Sequence, residues 1–203
     1  MDTSPEYYRY RHLTPEQRQL LLRYRQQQGY PWHAPPHPVR EATHYLFTAA
    51  NFEHRPIISS EERRLAFQTR LLERLQAAGM EVAAWVILPN HYHILALAAD
   101  FEKVAPAFQR LHGSLSRQWN LQDGTVGRKV WYRYTDRAMR SERHFYTTIN
   151  YLHYNPVKHG FAERADEWVC SSIWAYLETN GRDWLKELWQ EHPVREYGKG
   201  WDW

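Results

Sequence analysis

A single cysteine, Cys170, stands in 203 residues. It cannot form an intramolecular disulfide, so a hydrophobic core has to hold the fold. A lone thiol without metal-type partner spacing fits a reducing compartment and a small packed residue. No run approaches the ~20 apolar residues of a membrane-spanning helix, and the first residues, Met1-Asp2-Thr3-Ser4-Pro5-Glu6, lack the apolar stretch of a secretory signal. A soluble, cytoplasmic protein is therefore expected. No Gly-rich loop ending in Gly-Lys-Ser or Gly-Lys-Thr occurs, so no nucleotide cofactor is expected. Internal repeats are absent. Neither charge sign dominates, since the formal charge is only +3, too little to identify a partner by itself.

The chain is long enough for one domain of ordinary size with extensions. Thr14-Pro15-Glu16-Gln17 has the form of a helix start, with a helix expected to about Gln28 before Gly29. Residues 30–38, rich in proline, read as a stiff extended connector in which His33 and His37 are weak ligand candidates. The core is expected to begin with a strand at Thr43–Ala49. A capping box of Ser59 and Glu62 then starts a helix that ends near Gly79. Strands are expected at Glu81–Leu88 and His91–Leu97, joined by the Pro89-Asn90 turn, and Asp100 caps a helix over Phe101–Trp119. A further strand is expected at Lys129–Tyr134, and a last core helix from near Ser141.

That order predicts an α+β sandwich of the ferredoxin-like or RRM-like kind. Its sheet should have four to five largely antiparallel strands with helices on one face, plus helical N- and C-terminal extensions. Trp168, Trp174, Trp184, Trp189, Trp201 and Trp203 recur through the C-terminal part, which is expected to pack back on the domain.

Two segments carry the chemistry. In Pro89-Asn90-His91-Tyr92-His93-Ile94-Leu95 the alternation of a strand turns His91 and His93 to one face and Tyr92 to the other. In Tyr151-Leu152-His153-Tyr154-Asn155-Pro156-Val157-Lys158-His159-Gly160 helical spacing puts Tyr151 and Asn155 on one face, and Pro156 marks the expected helix end. If that helix packs on the histidine face, two imidazoles and an amide surround a divalent cation beside a phenol. Such a site suits phosphodiester chemistry. Tyr146, His153 and Tyr154 are the competing neighbours, but only Tyr151 shares a face with Asn155 at that spacing.

These motifs resemble the single-tyrosine HUH transposases of small bacterial insertion sequences, and within them the REP-associated tyrosine transposases. The resemblance covers roughly residues 40–178, and Asn-Pro-Val-Lys-His-Gly at 155–160 is close to the REP-associated branch. Tyr92 departs from the apolar residue usual between the paired histidines, and Asn155 stands where the insertion-sequence enzymes often have Gln. The resemblance implies Tyr151 as nucleophile, His91, His93 and Asn155 as ligands of Mg2+ or Mn2+, and a 5′-phosphotyrosine intermediate. It also implies single-stranded or hairpin DNA with REP-like palindromes as substrate, in the bacterial cytoplasm at the nucleoid, and a monomer or homodimer. Three segments are expected: 1–40, the N-terminal extension and linker; 41–178, the transposase domain; and 179–203, the Trp-rich tail. A free phenol titrates near 10, so the tyrosine needs a nearby cation or base, for which Lys158 and His159 are candidates.

Between the two motifs, Lys103–Arg143 carries nine basic residues against three acidic ones. Arg110, Arg117, Arg128, Lys129, Arg133 and Arg137 are the candidate phosphate contacts. Trp131, Tyr132 and Tyr134 are candidate stacking surfaces, a mixture suited to single strands. Two other readings stay open: a nucleic-acid binding module without cleavage, stacking bases on the sheet, and a metal-dependent hydrolase that uses water.

Overall fold

In the computed structural model, residues 44–199 are described throughout, together with Thr14, Glu16, Leu20 and Arg23. The chain divides into a unit Met1–Glu41 and a unit Ala42–Trp203. In the first, Glu16, Leu20 and Arg23 are helical; the proline-rich stretch, like Trp201 and Trp203, lies outside the described residues.

The second unit is built on strands β1 (His44–Ala50), β2 (Met80–Ile87), β3 (His91–Ala98) and β4 (Thr135–Ala138). They lie in the order β2-β3-β1-β4, every neighbouring pair antiparallel. Helix α1 (Glu61–Ala77) connects β1 to β2, and α2 (Phe101–Gln122) connects β3 to β4. This is the ferredoxin-like arrangement expected of the sequence. Helices α3 (Glu142–Lys158) and α4 (Ile173–Glu191) follow. Among the described residues no helix is long and apolar enough to cross a membrane.

The sheet separates two cores, because successive side chains of a strand point to opposite faces. On one side Phe47, Ala49, Tyr92, Ile94 and Ala96 pack with Phe67, Leu71 and Leu75 of α1 and Phe108, Leu111 and Leu115 of α2. On the other, Leu46, Val86, Leu88 and Leu95 pack with Ile149, Tyr151 and Leu152 of α3 and Leu188 of α4. Helices thus cover both faces, and the expectation of helices on one face is corrected. Leu46 and Leu95 alternate with Phe47 and Ile94, so both faces are apolar and both need cover.

Three boundaries also differ. The cap of α1 is Ser60, whose hydroxyl accepts from the Arg63 N–H, and not Ser59. Pro156 lies inside the last turn of α3, which runs on to Lys158. The strand expected at Lys129–Tyr134 is shifted to β4. Over that run Trp131 makes only one bridge, to Asn51, because β1 gives way there to a 3-10 turn at Phe52–His54 and offers no further ladder. The aromatic pattern of the run reports burial: Val130 and Trp131 are core residues, and Tyr134 packs on Phe47 and Phe108. Cys170 is buried, as expected of a packed thiol.

Helix α4 is kinked at Gly181, whose φ of 85° is open to glycine. Asn150 of α3 donates to the carbonyls of Leu188 and His192, tying the end of α4 to the tyrosine helix. The Tyr176 hydroxyl of α4 donates to the Ala83 carbonyl of β2.

Two histidines sit as neutral groups, His153 buried and His112 half-buried. His112 stacks on Trp131 at 4.4 Å between centroids, and its Nε2 meets the Tyr92 hydroxyl at 2.8 Å; burial lowers its pKa from 6.5 to about 4. His153 meets the Ser172 hydroxyl at 3.0 Å, and burial lowers it to about 3. Between pH 6.5 and 4 the unfolded chain binds protons at these positions that the folded chain does not. Stability is therefore full above pH 6.5 and declines on acidification, on the order of 2–3 kcal/mol for each histidine by pH 4. Thermal melts should show Tm falling through this window, with a shallower fall in His112→Gln; an identical pH slope in that variant would remove His112 from the account.

Candidate functional site

The β1–β3 register places Thr48 opposite His93 and Ala50 opposite His91, so both histidines face α3 while Tyr92 enters the other core. The two imidazoles are buried, their centroids 5.1 Å apart. Each is oriented through Nδ1: His91 by the Asn90 side-chain oxygen and His93 by the Thr48 hydroxyl, both at 2.7 Å. An amide oxygen can only accept, so His91 carries its proton on Nδ1 and presents the Nε2 lone pair. That is the tautomer of a metal-ligating histidine with its supporting contact.

Helix α3 starts at Ser141, whose hydroxyl accepts from the His144 N–H at 3.1 Å. One helical turn apart, Tyr151 and Asn155 both face the sheet, and both are fully buried. The Tyr151 hydroxyl lies 3.5 Å from His93 Nε2. Among the described residues, neither the Oδ1 nor the Nδ2 of Asn155 has a hydrogen-bond partner. Leaving a buried amide unsatisfied costs roughly 1–3 kcal/mol per group, which calls for a ligand, ion or water at that point. The residues present therefore fit a cation held by two imidazole nitrogens and an amide oxygen. Among the described residues no cluster of three or more His, Cys, Asp or Glu is placed to hold a metal.

Lys158 and His159 are brought to the same place. The Lys158 ammonium stands 5.1 Å over the Tyr151 ring and donates to the Gly198 carbonyl. The His159 ring is 5.0 Å from that of His91. The competing neighbours turn elsewhere. Tyr154 packs on Trp189, Tyr146 stacks on His192, and His153 is held by Ser172.

The candidate phosphate contacts are scattered. Arg110 and Arg117 are exposed on α2, which covers the face opposite the histidines. Arg128 is bound to Asp123, whose carboxyl is drawn down to about 2 by hydrogen bonds from Arg63 first and Arg128 second. Arg133 is exposed, and Arg137, opposite Leu46 on edge strand β4, is on the histidine face. Lys129 is exposed at the end of the sheet. Of the three candidate stacking rings, Trp131 and Tyr134 serve the core and only Tyr132 is exposed.

Thr48, Asn90 and the segment after α4 are the parts that sequence reasoning missed. Thr48 could have been found from strand alternation once β1 was paired with β3, and Asn90 from its place beside His91. Nothing in the sequence pointed to Tyr197 and Gly198. The Tyr197 ring packs edge-on against Tyr151 at 5.5 Å, and its hydroxyl meets Thr148 at 2.5 Å and His144 Nε2 at 2.9 Å. Burial raises the Tyr197 pKa. Burial, with Arg137 and Arg140 nearby, lowers that of His144. Gly198 has φ +76° and lies directly on the tyrosine ring, where a Cβ would stand 2.2 Å from Tyr151 Cε2.

No family model matches the chain. A REP-associated tyrosine transposase of Escherichia coli K12 is 26% identical over 95 residues, covering 46% of this chain and 54% of that protein. A Haemophilus influenzae protein, provisionally given the same name, is 28% identical over 108 residues, covering 46% of this chain and 58% of its own. The match thus spans a little over half the length of these curated relatives. A solved structure of a REP-associated tyrosine transposase bound to a REP hairpin is 18% identical with a TM-score of 0.55, over 72% of this chain and 87% of that one. The fold is therefore an α+β sandwich of the kind found in that structure. The resemblance to REP-associated tyrosine transposases, read from the two motifs, is borne out by the curated relatives.

Gly198→Ala combines a left-handed backbone with a clash against a buried ring. It should lift the 194–199 segment from α3, costing about 1–3 kcal/mol. Faster proteolytic nicking near residue 195 and a lower Tm would report this, and an unchanged digestion pattern would refute the close packing.

Proposed function

We propose that the chain is a transposase-like endonuclease and strand transferase. It cleaves and rejoins single-stranded DNA beside a hairpin, in the bacterial cytoplasm, through a 5′-phosphotyrosine intermediate on Tyr151. The observation that supports this reading best is the approach of the Tyr151 hydroxyl to His93 Nε2, 3.5 Å apart and buried, with the unsatisfied, buried amide of Asn155 one turn further along the same helix face. Its substrate form, a hairpin, is taken from what the solved relative binds.

Tyr151 would give up its phenolic proton to solvent and attack phosphorus in line. The tyrosyl O–P bond forms as the P–O3′ bond breaks, and a free 3′-hydroxyl remains for the reverse reaction. Bond energy is kept in the protein link, so no nucleotide cofactor is needed. Lys158, above the ring, favours the phenolate by its charge and offers a proton to a leaving oxygen. A divalent cation, Mg2+ or Mn2+, held by His91, His93 and Asn155 would draw charge from a non-bridging phosphate oxygen. Asn90 holds His91 in the ligating tautomer, and Thr48 fixes the orientation of the His93 ring. Because Tyr151 is fully buried, the 194–199 segment has to move before a phosphate can reach it.

That same burial favours a second reading, a binding module that never cleaves. A hydrolase using water is the third. Both differ from the first in leaving no protein–DNA bond. The test is incubation of a labelled hairpin carrying a single-stranded flank with the protein and Mn2+, followed by a denaturing gel.

Tyr151→Phe should lower adduct by at least a hundredfold while the Kd changes by less than about threefold, since the ring is kept and only the hydroxyl is lost. Wild-type adduct from this variant would remove Tyr151 from the role and bring Tyr154 forward.

Removing metal should act at the same step. EDTA, His91→Ala and His93→Ala should each abolish cleavage. Asn155→Ala should weaken it by roughly 10–100-fold, with partial recovery in excess Mn2+ because both imidazoles remain. Cleavage that persists in EDTA would recast the histidines as general acid–base groups.

A further inference from the structure

At the end of the sheet, beyond the histidines, the chain builds an aromatic group that the cleavage chemistry does not use. β1 runs one more extended residue, Asn51, with φ −65° and ψ 150°. Its N–H donates to the Asn90 carbonyl, next to His91. Alternation from Ala50, opposite His91, therefore sends Phe52 to the histidine face. The returning strand does the same with Tyr132. Trp131 bridges Asn51 and enters the opposite core, so its neighbour Tyr132 turns to the histidine side, with its N–H on the Ala50 carbonyl at 2.9 Å.

The rings meet there. Phe52 and Tyr132 are 5.0 Å apart and tilted, and His54 lies 5.9 Å from Tyr132. The Lys129 ammonium stands 4.3 Å from the Phe52 centroid and 5.7 Å from that of Tyr132. Tyr132 is 39% exposed and Lys129 is exposed, so the group is open to solvent and has no role in the core. The backbone that presents it is strained: Glu53 and His54 hold φ of 56° and 51°, left-handed values unusual outside glycine and asparagine. Such strain is concentrated at ligand-binding positions.

We propose that Phe52, His54 and Tyr132, with Lys129 across them, form a shelf that stacks the base of the nucleotide adjoining the cleaved phosphate, the ammonium neutralising that nucleotide's own phosphate. The proposal rests on the DNA-cleavage reading. It assigns that reading a binding position for an unpaired base, within about two residues of His91 along the sheet. Aromatic faces accept any base, so the shelf fixes where the strand lies more than which sequence is there. A cation beside the rings suits a nucleotide better than a neutral apolar ligand.

The test uses the full chain carrying Tyr151→Phe, with two fluorescent oligonucleotides: a hairpin with a single-stranded flank and the same hairpin cut blunt. Tyr132→Ala and Phe52→Ala should each weaken the flanked hairpin about tenfold and leave the blunt hairpin unchanged, whereas Tyr132→Phe should bind like the parent. An abasic residue at one flank position should weaken the parent by a similar factor, a result that needs no further variant, and should make Tyr132→Ala silent. Equal losses on both oligonucleotides, or no abasic position coupled to Tyr132, would overturn the shelf. The cleavage reading fails separately: if wild type forms no adduct yet the abasic coupling is found, the shelf stands and the chemistry falls. Absence of binding to either oligonucleotide would overturn both.

Discussion

The pairing of β1 with β3 is the constraint on which the rest depends. Side chains of a strand alternate with period two, so sliding this register by one residue would send His91 and His93 into the core occupied by Tyr92 and Phe67. The register is locked by opposing faces that are both apolar but differ in shape. Phe47, Ile94 and Tyr92 meet the aromatic side chains of α1 and α2, and Leu46 and Leu95 meet α3. Thr48 is held opposite His93 by the same register, so the pairing that places an imidazole also supplies the hydroxyl that orients it.

Helix α3 is the second half of that arrangement, and its two sides do different work. Ile149 and Leu152 seat it on the sheet, while Asn150 fastens it to the end of α4. Tyr151 and Asn155 ride on this packing. Burying an amide with neither atom satisfied by the protein is unfavourable, so this packing holds Asn155 ready for a partner from outside the chain. The cover over the tyrosine is of another kind. The 194–199 segment is held by the Tyr197 hydroxyl, the Lys158–Gly198 hydrogen bond and one glycine that lets backbone lie on the ring. Val194 and the Tyr197 ring add apolar contact with the core on this side.

Much of this was legible in the sequence, and the reasons are local. His-Tyr-His on a strand and Tyr-Asn at helical spacing each have one possible sidedness, so the shared site followed once strand and helix were recognised. The α+β order followed from alternating periodicities. What failed was sensitive to distant partners. The run Lys129–Tyr134 has strand composition, but a ladder requires an extended neighbour, and β1 has already turned at Phe52. Arg128 looked like a phosphate contact, yet Asp123 and Asn120 hold it, and no pattern in the chain announces such a pairing. The cover from Tyr197 and Gly198 lies some fifty residues from its partners and carries no periodic signal.

Helices on both faces also decide how a nucleic acid can approach. A sheet with one bare face can stack bases across its strands, as RNA-binding domains of this topology do. Here α1 and α2 fill one face and α3 and α4 the other, so neither is open to a base. Two routes are left: the edge strand β4, where Arg137 lies on the histidine side, and the strand ends around Asn51, Asn90 and Trp131. The hydrogen bonds that close the second, Asn51 to Asn90 and Tyr132 to Ala50, join the histidine turn directly to the exposed ring of Tyr132. On the proposed reading, a strand entering there would meet the Lys129 ammonium and the Tyr132 ring before it reached the imidazoles. On the same reading, the helical cover that hides the sheet leaves the strand ends, beside the histidines, as the place where a single strand would be held.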